Sequence, residues 1–253
     1  MSENPEIKLK SIKKTLDVLN CFTEKQPLGI TEISEKLDLY KSNVHAIVST
    51  LAAMDYLEQD KDNGKYYLGL GVLRLSRAIG DRYSFNNVAA AHMQELADAT
   101  GEIVYLTVPF RDHVYYLDTS FPSVGMPYLV GSIRNGIENM NCTSSGKSML
   151  AYMPERYVEE YLSRPLQAST EYTITDPDAL RGELQMIRSQ GYATDHMEAM
   201  IGISCVAVPI RGRNGAVMGA LSISGPSPRF SDERIPKLAE LLKKHVSEIQ
   251  KNM

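Results

Sequence analysis

"ITEISEKLDLYKSNVHAIVSTL", residues 30–51, contains two short amphipathic patterns divided by a brief break at "DLY". In the first, Ile33 and Leu37 stack one turn apart and Thr31 is the expected N-cap, which predicts a short helix. In the second, Val44, Ile47, Val48 and Leu51 recur at helical spacing and leave Lys41, Ser42, Asn43, His45, Ala46 and Ser49 largely on the opposite side. A plain three-helix bundle has no need of small polar residues where its third helix begins. A helix entering the DNA major groove does need them, because short side chains let its backbone approach and Ser, Asn and His can bond base edges or phosphates. Lys41, at the start of that helix, is placed to meet a phosphate.

Upstream, "LKSIKKTLDVLNCF", residues 9–22, predicts a helix burying Ile12, Leu16, Leu19 and Phe22, with Lys10, Lys13 and Lys14 largely off that face. Downstream, "YLEQDKDNGKYYLG", residues 56–69, predicts two short strands around a turn containing Asn63-Gly64, a dipeptide that tolerates positive φ. Helix, short helix, polar-faced helix and hairpin, in that order, make a winged helix-turn-helix. Thr31, Lys41, Ser42, Asn43, His45 and Lys65 are its candidate DNA contacts. The pattern predicts this domain over residues 1–67, then a linker helix over 68–83 that includes "LGVLRLSRAIGDRY", with Leu70, Leu73 and Ile79 beside Arg74 and Arg77.

From residue 84 to 253 the pattern changes to α+β. "NNVAAAHMQELADATG" predicts a helix stopping at Gly101, "EIVYLTVPF" and "HVYYLDTS" a strand pair, "CVAVPI" and "AVMGALSIS" a second pair around "RGRNG", and "DERIPKLAELLKKHVSEIQ" a closing helix. Residues 121–141, with Pro122, Gly125, Pro127, Gly131 and Gly136, lack periodicity and predict a long loop.

Composition narrows the function classes. No apolar run reaches the roughly 18 residues of a membrane span, and "MSENPEIKLK" lacks the apolar core of a signal peptide, so a cytoplasmic protein without membrane attachment is expected. Cys21, Cys142 and Cys205 are odd in number and widely spaced, which fits neither a disulfide framework nor a zinc cluster. The formal charge of -4 excludes coating nucleic acid by bulk electrostatics and leaves room for a local reader. Residues 1–83 carry 12 Lys/Arg and 12 Asp/Glu, so the acidic excess lies entirely in the remainder.

"NCTSSGKSML", residues 141–150, half-matches two catalytic signatures. A phosphate loop would need glycine where Asn141 stands, and the SxxK of Ser144 and Lys147 lacks the SDN and KTG segments of its enzyme class. No GxSxG elbow is present, and His92, His113, His196 and His245 have no partners at metal-ligand spacing, so neither catalysis, a cofactor nor a metal is expected. A phosphotransferase using Lys147 is the minor alternative. The segment predicts a capped helix whose free N–H groups favour an anion. Asp195 and Cys205 within "GYATDHMEAMIGISCVAVP", and Ser222 and Ser224 on one strand face, add polar groups that together predict a pocket for a small polar molecule.

These segments, with the wing "NGKYYLG" and "GALSISGPSPRFS", resemble the IclR-type family of bacterial transcriptional regulators from about Ser11 to the last helix. The resemblance implies a GAF-like C-terminal effector domain with a mainly antiparallel sheet, homo-oligomers that are dimers or dimers of dimers, double-stranded operator DNA as partner, and small organic acids or aromatic or sugar-derived metabolites as effectors. It implies an effector site at Ser144, Ser145 and Gly146, Asp195 and Cys205, and Ser222 and Ser224, in a regulator expected to be a repressor. The chain departs from the family pattern at Ala46, where Arg is usual, at Asn43, at Asn139 and Asn141, where Pro and His are common, and at Met197. Ala46 leaves open a ligand-binding module with degenerate DNA recognition.

Overall fold

The computed structural model describes residues 7–80, 85–124 and 136–253. Contacts divide the chain into two compact units, Met1–Tyr83 and Ser84–Met253. The last linker residues and the boundary at Ser84 lie outside the described residues, as do residues 125–135 of the expected loop.

In the first unit α1 (Lys10–Cys21), α2 (Ile30–Leu37) and α3 (Lys41–Ala53) enclose a core of Val18, Cys21, Phe22, Leu28, Ile33, Val44, Val48 and Leu51, closed by Leu57 and Tyr66. α2 stops at Asp38, whose φ of 50° turns the chain into α3; Asp tolerates this left-handed conformation better than most residues. β1 (Leu57–Gln59) and β2 (Tyr66–Leu68) pair antiparallel, with Leu57 opposite Leu68. Backbone bonds between Leu28 and Tyr66 attach this wing to the segment before α2. α4 (Gly71–Gly80) follows.

Two expectations for this unit need correction. The buried side of α1 carries Val18, Cys21 and Phe22, while Ile12 and Leu16 are 53% and 51% exposed. The helix has two apolar stripes, and contact with α2 and α3 selects the one nearer its C-terminus. Thr31 is not the N-cap. Gly29 holds that position, and the Glu32 carboxylate accepts its N–H at 2.9 Å, so Thr31 is an exposed residue of the first turn.

The second unit is built on a six-stranded sheet in the order β5-β4-β3-β8-β7-β6, every neighbouring pair antiparallel. The strands are β3 (Ile103–Phe110), β4 (His113–Ser120), β5 (Ile137–Asn139), β6 (Ala193–His196), β7 (Ile203–Arg211) and β8 (Val217–Pro226). α5 (Phe85–Thr100) and α9 (Arg234–Lys251) pack on each other and on the sheet, while α6 (Ser144–Leu150) packs on β6, β7 and β8. Residues 219–225 of β8 are all buried, as a strand covered on both faces requires. The α+β architecture and antiparallel sheet match the sequence-based expectation. α7 (Glu155–Leu162), α8 (Pro177–Gln190) and β6 fall outside the elements predicted from sequence, and β5 forms within the expected loop.

Candidate functional site

On α3 the core residues Val44, Val48 and Leu51 set the orientation, because together they bury one side. Helical geometry then puts Ser42, Ala46 and Ser49 at the centre of the exposed arc, with Lys41 and His45 on one flank and Asn43 and Thr50 on the other, all exposed. Small side chains at the centre leave the helix backbone open to close approach. Lys65 is less free than its place in the wing implied, since its ammonium donates to Glu32 at 2.9 Å, where Lys25 also pairs. Ser49, Thr50 and Tyr40, which is 82% exposed just before α3, were absent from the candidates. The helical repeat from Ser42 through Ala46 to Ser49 could have found Ser49.

In the second unit strand register aligns polar residues into rows. Asp195 on β6 faces Cys205 on β7, which faces Ser224 on β8; one step along, Ser222 faces Tyr105 on β3, which faces Thr119 on β4. Partners in register share a face, so these side chains line one side of the sheet. The opening of α6 lies over them, with Thr143 as N-cap accepting the Gly146 N–H at 3.0 Å. A cavity of about 70 Å³ results, lined by Ser144, Ser145, Asp195, Cys205, Ser222 and Ser224. Tyr105, Tyr116, Thr119, Glu138 and Met200 also line it. Strand-to-strand pairing brings Tyr105, Tyr116, Thr119 and Glu138 there, and no local motif signals it; Tyr105 and Tyr116 meet edge to face at 5.1 Å.

Gly146 is the exception among the expected pocket residues. It does not line the cavity. A Cβ there would come within 2.3 Å of the Met140 carbonyl oxygen and 2.4 Å of its Cα, so glycine is required for α6 to pack on the preceding turn. Asn141, at the position of the missing phosphate-loop glycine, is a buried tie: its side-chain amide donates to the carbonyls of Gln167 and Ile174, and its oxygen accepts from Tyr161 at 3.0 Å.

Lys147 points away from any phosphate role. Its side chain is 1% exposed and its ammonium donates to Glu198 at 2.6 Å, with Glu183 at 3.5 Å. Burial pushes the Glu198 carboxyl up and Lys147 opposes that rise. Asp195 is raised to about 7, first by burial and then by the Glu198 charge, despite accepting the Glu198 N–H at 2.7 Å. Burial also raises the Cys205 thiol well above its ordinary range; it donates to Ser224 at 3.2 Å. The pocket therefore offers hydroxyls, phenols, a protonated thiol and a carboxyl half-protonated near neutrality.

Residues 79–251 match the family described as bacterial transcriptional regulator IclR C-terminal, and residues 11–61 match the IclR helix-turn-helix domain. The chain belongs to the IclR family of bacterial transcriptional regulators. An IclR-family chain is a DNA-binding regulator and not an enzyme, and its C-terminal domain binds small-molecule effectors. The chain is 32% identical over 237 residues to the HTH-type transcriptional regulator KdgR of Escherichia coli, covering 92% of this chain and 89% of that protein. It is 27% identical to the HTH-type transcriptional repressor AllR of Escherichia coli, covering 85% of this chain and 79% of that protein. Among solved structures, an IclR homolog from Microbacterium hydrocarbonoxydans complexed with 4-hydroxybenzoate superposes with a TM-score of 0.82 at 26% identity, covering 95% of this chain and 98% of that one. Among the described residues of this IclR-family protein, no helix is long and apolar enough to cross a membrane.

Proposed function

We propose that the chain is a repressor that grips operator DNA with α3 and its wing and loses affinity when a small carboxylate or sugar acid enters the pocket beneath α6. The observation that carries this reading is the convergence of Ser144, Ser145, Asp195, Cys205, Ser222 and Ser224 on one cavity. The hydroxyls, phenols and half-protonated carboxyl that line it suit the polar groups of a small hydroxy or keto acid. The 4-hydroxybenzoate held by the Microbacterium homolog is a carboxylate, and AllR is named a repressor; both support the reading. The effector must bind the DNA-competent and incompetent arrangements unequally, and α4 is the element proposed to carry the difference.

A thermal-shift screen of small carboxylates and sugar acids tests it, because a ligand that binds only the folded chain raises the melting temperature. With the hit, Ser222→Ala combined with Ser224→Ala abolishes effector-induced release in a mobility shift while leaving operator binding intact. Operator binding lost along with the response assigns the serines to folding instead. For the DNA face, Lys41→Ala weakens operator binding and makes its salt dependence shallower by about one unit of slope. An unchanged slope removes Lys41 from the phosphate contacts.

Exposed apolar side chains support a homodimer or dimer of dimers. Leu9, Ile12 and Leu16 on and before α1, and Leu70, Leu73, Leu75 and Ile79 on and before α4, are each more than half exposed among the described residues, as side chains that a second copy covers would be. A monomer in sedimentation velocity contradicts this. A second reading, a ligand-binding module without DNA recognition, rests on Ala46 at the centre of the α3 face, and the absence of any footprint on genomic DNA would favour it.

A further inference from the structure

Apart from the pocket and the DNA face, α5 and α9 bring three ligand-type side chains together. His92 and Glu95 stand one turn apart on α5, and His245 reaches them from α9, 153 residues after His92. The Nδ1 atoms of His92 and His245 are 3.1 Å apart, His245 Nδ1 lies 3.8 Å from Glu95 Oε2, and one ligand atom from each of the three lies within 4.8 Å of the others. Donors bound about 2.0–2.1 Å from one ion sit roughly 3.4 Å apart around a tetrahedron and roughly 3.0 Å apart along an octahedral edge. The 3.1 Å between the imidazoles matches donors that share an ion, and the 3.8 Å to Glu95 closes to that range with a small turn of an exposed side chain.

His245 is buried to 15% side-chain exposure, with its Nδ1 turned toward both His92 and Glu95. Glu95 is 69% exposed, which leaves the site open on one side for an ion to enter and for water to complete its coordination. Glu248, one turn beyond His245, is held by Lys251 at 2.6 Å, and Lys244 is the other nearby cation. Two imidazoles and a carboxylate are donors suited to zinc and its first-row neighbours, whereas calcium and magnesium prefer an all-oxygen set.

We propose that His92, Glu95 and His245 bind a divalent transition ion of the zinc class, tying α5 to α9. The sequence pattern cannot display such a site, since only two of its ligands are near one another in the chain. The competing account is a bare hydrogen bond between the imidazoles, with Glu95 uninvolved.

Tag-free full-length protein, stripped with chelator, is titrated with Zn(II) and with Co(II). One Zn(II) per chain, a melting temperature raised by several degrees and restored to its starting value by chelator, and ligand-field absorption from Co(II) are expected. His92→Ala and His245→Ala abolish the stoichiometric binding. Glu95→Gln, at an exposed position that folding does not depend on, weakens it at least about tenfold. No stoichiometric binding, or binding that survives either histidine substitution and has therefore gone elsewhere, overturns the proposal. Should the histidine variants fail to fold, unaltered affinity in Glu95→Gln overturns it as well.

Discussion

Lys147→Met is expected to lower stability by about 3–5 kcal/mol at pH 8, the cost of removing one partner from a buried ion pair. The loss comes from what remains. Lys147 and Glu198 are 1% and 7% exposed, and among the described residues only one of the two Glu198 oxygens has a partner, the other being buried without a hydrogen bond. Without the ammonium, the Glu198 charge sits in a poorly polarisable site beside Asp195, and its already raised pKa rises further. Acidification then protonates Glu198 and removes the unpaired charge, so the deficit is largest at high pH and shrinks as pH falls toward 5. Adding Glu198→Gln to Lys147→Met should recover a good part of the loss at pH 8. Chemical denaturation of the four proteins of this cycle measures the coupling, and a Lys147→Met variant as stable as the parent would show that the pair is not buried in solution. The same experiment bears on function, because a lysine committed to Glu198 is not available to a phosphate.

The second large effect has the opposite sign. Asp195→Asn is expected to stabilise the protein at pH 8 by a few kcal/mol, at most about 4. The Asp195 carboxyl has its folded pKa raised to about 7 from an ordinary 3.8. The folded state therefore holds a proton that the unfolded state has released, and stability declines as pH rises from about 4 to 7. Asparagine mimics the protonated form. Its oxygen can keep the bonds from the Glu198 and Ala199 N–H groups. The decline with pH should flatten in the variant, as thermal melts across pH 4–9 would show. A group that lowers stability at neutral pH and faces a cavity fits a ligand-binding role. A carboxylate effector binds best to protonated Asp195, so its affinity should fall about tenfold per pH unit well above 7 in the parent and become flat in Asp195→Asn. A variant that is less stable at pH 8, or whose affinity keeps the parent's slope, contradicts this account of Asp195.

Much of this protein is legible along the chain. The period of Val44, Val48 and Leu51 orients α3, Gly101 marks the end of α5, and the alternation of Ser222 and Ser224 with Leu221 and Ile223 puts two hydroxyls on one strand face. Such patterns are local, since one turn of helix or two residues of strand decide them. α8 is local too: it has Asp176 as N-cap, Pro177 in its first turn and Gly191 at its end, signals present in the sequence though the helix was not among the predicted elements.

Other features depend on partners far away in the chain. α1 carries two apolar stripes, and only packing on α2 and α3 buries Val18, Cys21 and Phe22 while leaving Ile12 and Leu16 exposed. The misplaced cap at Thr31 is, by contrast, a local feature, since Glu32 accepts the N–H of Gly29 three residues before it. Tyr105 joins the pocket because β3 pairs with β8 in the register that sets it opposite Ser222. "GKS" reads as a phosphate loop until the turn at Glu198 and α8 with Glu183 close over Lys147. By itself the sequence determined the element types, the winged helix-turn-helix, the α+β class and most of the polar residues that gather at the pocket. Only the tertiary structure decided which stripe is buried, which glycine is a packing contact, and which charges meet, because those depend on how helices pack, on the close approach of α6 to the turn before it, and on the desolvation of groups distant in the chain.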